Sequence, residues 1–399
     1  MFRTSFAALL LISFLTRAAD EPTFNGLKAS EYMAMAKDDP LPRKRKAAIL
    51  ALGQLVTEKQ ASRDTILPVI TKAMRSDSQA MVRQQAAMVM GQQPAETLAG
   101  YITDLTEALR QEKDSGVRKE IATSIGRIGK AAQAGVLPLI DTLKDPIPAT
   151  RAAAAEALGR IGAGANSAAA PLITLTKDPD ARVRYGAVFA LGRIDAADPD
   201  AAVAGISAVL ASEKAAHQRF TLLSAVFGGA ASGSRDSELV IAGVVSLGLL
   251  GVKTNDAAQA IAAHLSDPDA EVRQQVVLAL GKLTVAARNV EAELKTAIRS
   301  DADKQVRTYA VQTFSAAFAA EPEPMIAFFS ERLKAESDFE VRVALVDELG
   351  GLGAAGSPAI IILREAQKDT QVKVREAAAE AIKRILKPAP TPKPEQPAP

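Results

Sequence analysis

This sequence predicts an all-α fold, an alpha-alpha superhelix of about ten stacked helical hairpins, on three observations. The first is a register of arginines at Arg45, Arg83, Arg118, Arg151, Arg184, Arg219, Arg273, Arg307, Arg342 and Arg375. Apart from one gap of 54 residues after Arg219, the spacings are 33 to 38, the length of two helices and two turns. The second is an acid six residues before every one of them: Asp39, Asp77, Glu112, Asp145, Asp178, Glu213, Asp267, Asp301, Glu336 and Asp369. The third is composition. About a fifth of the 399 residues are alanine, 48% are hydrophobic, only 4% are aromatic, and cysteine and tryptophan are absent. A core of small aliphatic side chains suits closely packed helices. The lack of cysteine excludes disulfides, thiolate metal sites and thiol nucleophiles.

The elements follow in order. Residues 1–18, MFRTSFAALLLISFLTRA, join Arg3 to an apolar run and end in small residues, the pattern of a secretory signal peptide cut before Ala19. Its run of roughly ten apolar residues falls short of the roughly 20 that span a bilayer. Loss of Arg3 and Arg17 leaves 46 basic against 46 acidic residues, so the mature chain is formally neutral. Residues 19–38 form an N-terminal arm, and 39–386 form the repeat array.

Within each repeat an apolar segment at helical spacing, such as GVLPLIDTLKDP from Gly135, stops at an Asp-Pro or Ser-Asp turn. A second segment then carries the arginine, as in VRYGAVFALGRI from Val183, where Val183, Ala187, Ala190, Leu191 and Ile194 share one face. Neither helix can bury its face alone, but stacked copies share one core. A glycine eight residues after the arginine, as at Gly126, Gly159 and Gly192, permits close packing or a left-handed cap. The array breaks near 228–255: a glycine- and serine-rich stretch precedes ELVIAGVVSLGLLG, with Val240 in the arginine position and Gly248 in the glycine position. This stretch is expected to be a buried half-repeat at a kink, with a hinge or gating loop as the alternative. Residues 387–399, KPAPTPKPEQPAP, cannot pack a core and form an extended spacer.

These repeats resemble HEAT repeats, particularly the short HEAT-like class also found in phycobilisome lyases, over roughly residues 39 to 386. The resemblance implies a scaffold. It also implies a structural ladder in which acid and arginine, at Asp77, Arg83, Asp145, Arg151, Asp178, Arg184, Asp267, Arg273, Asp301 and Arg307, satisfy turn amides and hold the stacking register between repeats.

Signals for chemistry are sparse. Helical-repeat enzymes resembling deoxyhypusine hydroxylase bind iron through His-Glu pairs, but here His217 precedes Gln218 and His264 precedes Leu265. No nucleophile elbow, phosphate loop or zinc-binding helix motif occurs. The expectation is a non-enzyme without cofactor or metal; the alternative is a HEAT-like lyase, chromophore-handling protein or other enzyme with its site in the same groove. A charge of +2 gives no argument for nucleic acid, and the mature chain is not expected to insert into a membrane.

Surface recognition remains. In HEAT-like solenoids the second helices line the concave face, and positions one, five and nine residues after the register arginine point away from the core. They give Gln84, Met88 and Gln92 near the amino-terminal end, and Asp347, Glu376 and Glu380 near the carboxy-terminal end. Between them lie Arg127, Arg160 and Arg193, with Tyr185, Phe189 and Phe220. Two readings are open. The arginines and aromatics form an anchor patch for an acidic or extended peptide, or the arginines complement helix dipoles and the phenylalanines tuck under neighbouring helices. The expected role is a periplasmic or secreted scaffold gripping a protein partner.

Overall fold

A computed structural model describes residues 21–58, 62–227, 237–251 and 256–387, without the side chains of 216–227 and of 285. The signal-like segment 1–18, residues 228–236 and 252–255 of the break, and the tail from 388 onward lie outside the described residues. The chain divides into two compact units, residues 1–94 and 95–399.

In the first unit a two-residue hairpin, β1 (Thr23–Phe24) and β2 (Leu27–Lys28), turns through Asn25 and Gly26, both at positive φ. It leads into α1 (Ala29–Asp38), and the Tyr32 hydroxyl donates to the Phe24 carbonyl at 2.9 Å. Residues 21–38, in the stretch expected to be an arm, thus supply a hairpin and a helix packed on α2 (Pro42–Thr57). The pair α3 (Arg63–Ser76) and α4 (Ala80–Gly91) completes this unit.

The second unit holds eight further pairs. They are α5 with α6 (Ala95–Ala99, Ile102–Gln111) against α7 (Ser115–Ile128), α8 (Val136–Thr142) with α9 (Pro148–Ile161), and α10 (Ala169–Leu175) with α11 (Ala181–Leu191). Next come α12 (Pro199–Phe227) with α13 (Ser237–Leu250), α14 (Asp256–Ala262) with α15 (Ala270–Leu283), and α16 (Glu291–Ser300) with α17 (Lys304–Phe318). The last two are α18 (Pro322–Ala335) with α19 (Phe339–Gly351), and α20 (Ile360–Ala366) with α21 (Val372–Leu386). No helix among the described residues is long and apolar enough to cross a membrane.

Most of the described turns into second helices are built by the same acid and arginine. Asp178 is the pattern: its carboxylate accepts from the Asp180 N–H at 2.9 Å, and Asp180 in turn caps α11 by accepting from the Arg182 N–H. Arg184 returns its Nη1 to the Asp178 carbonyl at 3.1 Å. That closed loop explains the six-residue spacing, which brings the guanidinium one helical turn back onto the turn that starts its own helix. The same arginine-to-carbonyl bond recurs from Arg83 to Asp77, from Arg151 to Asp145, from Arg273 to Asp267 and from Arg307 to Asp301.

The remaining guanidinium nitrogens reach the acid of the next repeat. Arg45 meets Asp77, Arg118 meets Asp145, Arg151 meets Asp178, Arg184 meets Glu213, Arg273 meets Asp301, Arg307 meets Glu336 and Arg342 meets Asp369. Most are forked, with Arg151 Nε and Nη2 donating to the two Asp178 oxygens at 2.9 and 3.0 Å. Burial pushes the Asp77 and Asp369 carboxyls up, but their hydrogen bonds and arginine neighbours outweigh it and hold both below the ordinary aspartate value.

The repeat glycines are a packing seam. A Cβ on Gly126, on α7, would lie 2.8 Å from the Cα of Ala157 on α9; one on Gly159 would lie 2.8 Å from the Cα of Ala190; one on Gly350 would lie 2.7 Å from the Cα of Ala381. In every case position eight of one second helix meets position six of the next, counting from the register residue. The positive φ values at the ends of these helices belong to other glycines, Gly129, Gly162 and Gly353, at φ between 54° and 75°.

This seam corrects the reading of the break. Gly192 packs on Ser246, and Gly248 on Ala279, so α13 is a complete second helix whose register residue is the buried Val240. It is not a half-repeat. The expected turn between Glu213 and Arg219 does not form either, because α12 runs unbroken from Pro199 to Phe227. Arg219 therefore begins no second helix; with Val240 as the register residue, the 56 residues from Arg184 to Val240 hold one hairpin with an extended first helix, and the ordinary 33-residue stride resumes from Val240 to Arg273.

Where the seam glycine is missing, chemistry replaces packing. Ser315 stands at position eight of α17, and opposite it at position six is Glu348, which accepts a hydrogen bond from Ser315. Burial raises the Glu348 carboxyl above its ordinary value, with Asp347 adding to the rise and Ser315 and Arg384 opposing it. Ionised Glu348 therefore costs stability at neutral pH, a cost that vanishes below the unfolded value of about 4.3. Glu348→Gln should raise the Tm at pH 7 and leave it unchanged near pH 4; melts at the two pH values check this, and an equal shift at both would contradict the assignment.

Candidate binding site

Helix α11 is fixed from both ends of its turn, by the Asp180 cap and by the Arg151–Asp178 pair, so the face it presents is set by the neighbouring repeats. Tyr185, Phe189 and Arg193 follow at i, i+4 and i+8 on that face. The Tyr185 and Phe189 rings stack at 6.3 Å between centroids and 17° between planes. The Arg193 guanidinium lies 3.8 Å above the Phe189 ring centre and donates from Nη1 to the Phe189 carbonyl at 2.9 Å. Arg193 thus caps a helix end and covers an aromatic face of the same helix.

Phe189 rests on the second helix of the preceding repeat. Its Cδ1 is 2.7 Å from where a Cβ of Gly159 would stand, so that glycine is the floor of the ring's seat. Phe189 stays half-buried.

Charge surrounds this stack. Glu156, at position five of α9, pairs with Arg160 at 3.2 Å. Burial raises the Tyr185 hydroxyl above its ordinary value, as do the carboxylates of Glu156 and Glu238, while Arg193 and Arg160 pull it down. Burial lowers the Arg193 guanidinium value, against the opposing effect of Tyr185; arginine stays charged regardless.

Five of the expected site residues lie on three successive second helices. Arg127 is exposed in the last turn of α7, Arg160 is tied to Glu156 on α9, and Tyr185, Phe189 and Arg193 share α11. The arginine row is therefore less uniformly cationic than its 33-residue spacing suggests. Gln84, half-buried, and Met88, exposed, stand on α4 in the first unit and are not described as part of this cluster. Phe220 falls within α12, and its side chain lies outside the described residues. Glu156 and Glu238 were not singled out from the sequence; Glu156 was legible as a fifth-position residue, whereas Glu238 lay in the misread break. Among the described residues no group of three His, Cys, Asp or Glu side chains could hold a metal ion.

Stacked helical pairs tied by a repeating seam and ladder define an α-helical repeat scaffold with a variable wall on its second helices. This chain carries HEAT repeats: the family model of HEAT repeats matches residues 30–126, 102–192 and 136–216. No curated protein sequence matches it. Solved structures resembling it include YibA of E. coli, at 19% identity and a TM-score of 0.47 over 72% of this chain and 92% of that one. Another is Kap95p, solved in a complex with RanGDP, at 14% identity and a TM-score of 0.49 over 90% and 50%. A third is Kap121p bound to RanGTP, at 13% and 0.42 over 90% and 44%. The chain thus spans half or less of these two longer proteins.

Proposed function

We propose that the chain is an exported, non-enzymatic scaffold that binds a protein or extended peptide on the second-helix wall of its repeats, anchored at Tyr185, Phe189 and Arg193. The observation that carries this reading is the stacked pair of half-buried rings, of which Phe189 lies under the Arg193 guanidinium. Aromatic and arginine side chains in preformed seats are what binding hot spots are made of, and here the seat is prepared by Gly159 without a partner present. Such a stack loses little conformational freedom when a partner closes over it. The structural residues repeat from hairpin to hairpin, whereas the Tyr185 and Phe189 pair occurs on α11 and not at the corresponding positions of the neighbouring second helices.

The test is purification of the full chain from an envelope extract, followed by mass spectrometry of both the chain and whatever accompanies it. Export predicts a mature chain beginning at Ala19, and scaffolding predicts a protein in fixed stoichiometry. The double variant Phe189→Ala, Arg193→Glu should retain its helical circular dichroism and weaken capture about 30-fold or more, the scale of a hot spot of about 2 kcal/mol. Undiminished capture, or bound pigment and substrate turnover in place of a protein, would overturn the reading.

A further inference from the structure

Once α13 is recognised as a second helix, the wall of the second unit reads differently along its length. Positions one, five and nine of α13 are Ile241, Val245 and Leu249, and those of α15 are Gln274, Leu278 and the exposed Lys282; Leu249 and Leu278 are 41% and 39% exposed. This aliphatic band follows directly on the Tyr185, Phe189 and Arg193 stack. Beyond the neutral α17 come Asp347 on α19 and Glu376 and Glu380 on α21.

The charges at the two ends are available to a ligand. Arg193 makes no ion pair with a described carboxylate, and its charge lies on an aromatic face. Glu376 is exposed and pairs with no described cation, and Glu380 holds Lys383 only at 3.4 Å on the surface. Asp347 is partly offset by Arg384 at 2.7 Å. Cation and aromatic, then a largely aliphatic band with Lys282 at its edge, then a carboxylate-rich end with Arg384 therefore succeed one another in repeat order.

From this order we infer that the wall takes one continuous peptide segment whose own residues run acidic, aliphatic and basic, with the acidic end over α9 and α11 and the basic end over α19 and α21. The inference rests on the binding reading above and adds the polarity of the partner. Stacked helices lie about 8 to 10 Å apart, so the five steps from α11 to α21 cover roughly 40 to 50 Å. An extended chain at about 3.3 Å per residue crosses that with about 12 to 15 residues. Matched potentials at both ends fix direction as well as position, since reversed placement sets like charges together.

The experiment uses the full chain and a designed probe of about 16 residues: a glutamate block, a leucine and valine block spaced with serine, and a lysine block, with a photocrosslinker at the glutamate end. A second probe has the same composition with the charges interleaved. Expected are crosslinks on α9 and α11, binding of the interleaved probe about tenfold weaker, and a similar loss with Glu376→Lys, Glu380→Lys, a scale set by a few exposed ion pairs. Crosslinks on α19 or α21, equal binding of both probes, indifference to the lysine substitutions, or a probe displaced by dimerisation of the chain would each overturn the polarity. If those results appear while Phe189→Ala, Arg193→Glu still abolishes binding of the probe, the anchor stands and the polarity alone falls. A block probe that binds this double variant as well as the natural chain would remove the anchor.

Discussion

Asp178→Ala should destabilise the protein by about 3 kcal/mol or more, because it strands a guanidinium that has already left water. The Arg151 and Asp178 side chains are 14% and 6% exposed, and the carboxylate takes both forked bonds from Arg151 together with the Asp180 N–H. With the carboxylate gone, Arg151 keeps only the carbonyls of Asp145 and Pro146, at 2.8 and 3.3 Å. The comparison is Arg182→Ala, which breaks the pair with Asp180 at 2.7 Å, but where the arginine is 68% exposed and solvent screens the gain to about 0 to 1 kcal/mol. Urea unfolding of both variants, with amide exchange on α9 and α11, measures the difference. Equal losses would mean that the ladder is ornament on a stack held by its apolar core alone. Replacing both partners, Arg151→Met with Asp178→Leu, should recover most of the loss, since the penalty comes from the unpaired charge and not from the absence of the pair.

Gly126→Val should cost about 2 to 3 kcal/mol, in a place where helix propensity alone forecasts a gain. A glycine inside a helix is worse than alanine by about 1 kcal/mol, so a substitution in an isolated helix would help. In the stack a Cβ at Gly126 meets the Ala157 Cα at 2.8 Å and its Cβ at 2.9 Å, and the contact is with backbone, which cannot rotate aside. Overpacking of that kind costs about 1 to 3 kcal/mol, and the branched side chain leaves no rotamer that avoids it. Thermal unfolding of Gly126→Val beside Gly351→Val gives the check, since Gly351 on α19 has open space where its Cβ would stand. A Gly126 variant as stable as the Gly351 variant would show that adjacent second helices can part without penalty.

The repeat was legible because it is enforced at the same positions in nearly every hairpin. The arginine must reach a carbonyl six residues back and a carboxylate in the next repeat, so its spacing is visible as a count along the chain. The seam glycine was visible too, but its role was not: cap and close packing both call for a missing side chain, and only the neighbouring helix shows that Gly159 is a floor for Phe189 and Ala190. Arg219 misled for the opposite reason. It has the acid at the right distance, yet α12 passes through that stretch without turning. A local motif permits a turn; whether the helix stops there depends on what the following helix can pack against.

Of the candidate wall, the sequence identified the spacing that aligns Arg127, Arg160 and Arg193, but not the Glu156 partner that ties one of them down or the placement of Glu238 near Tyr185. Contacts between residues on different repeats follow from the rotation of one hairpin on the next, which no linear count contains.

The sequence by itself therefore determined the class of fold, the length of the repeat, and the acid and arginine that start every described second helix but α13, because these depend on distances of six to nine residues within one chain segment. Only the tertiary structure decided which glycines are seams, that α13 belongs in the row of second helices, and that rings, a guanidinium and carboxylates converge around Tyr185. Those outcomes are set by side-chain volume between neighbouring helices, where a displacement of about an ångström separates contact from collision.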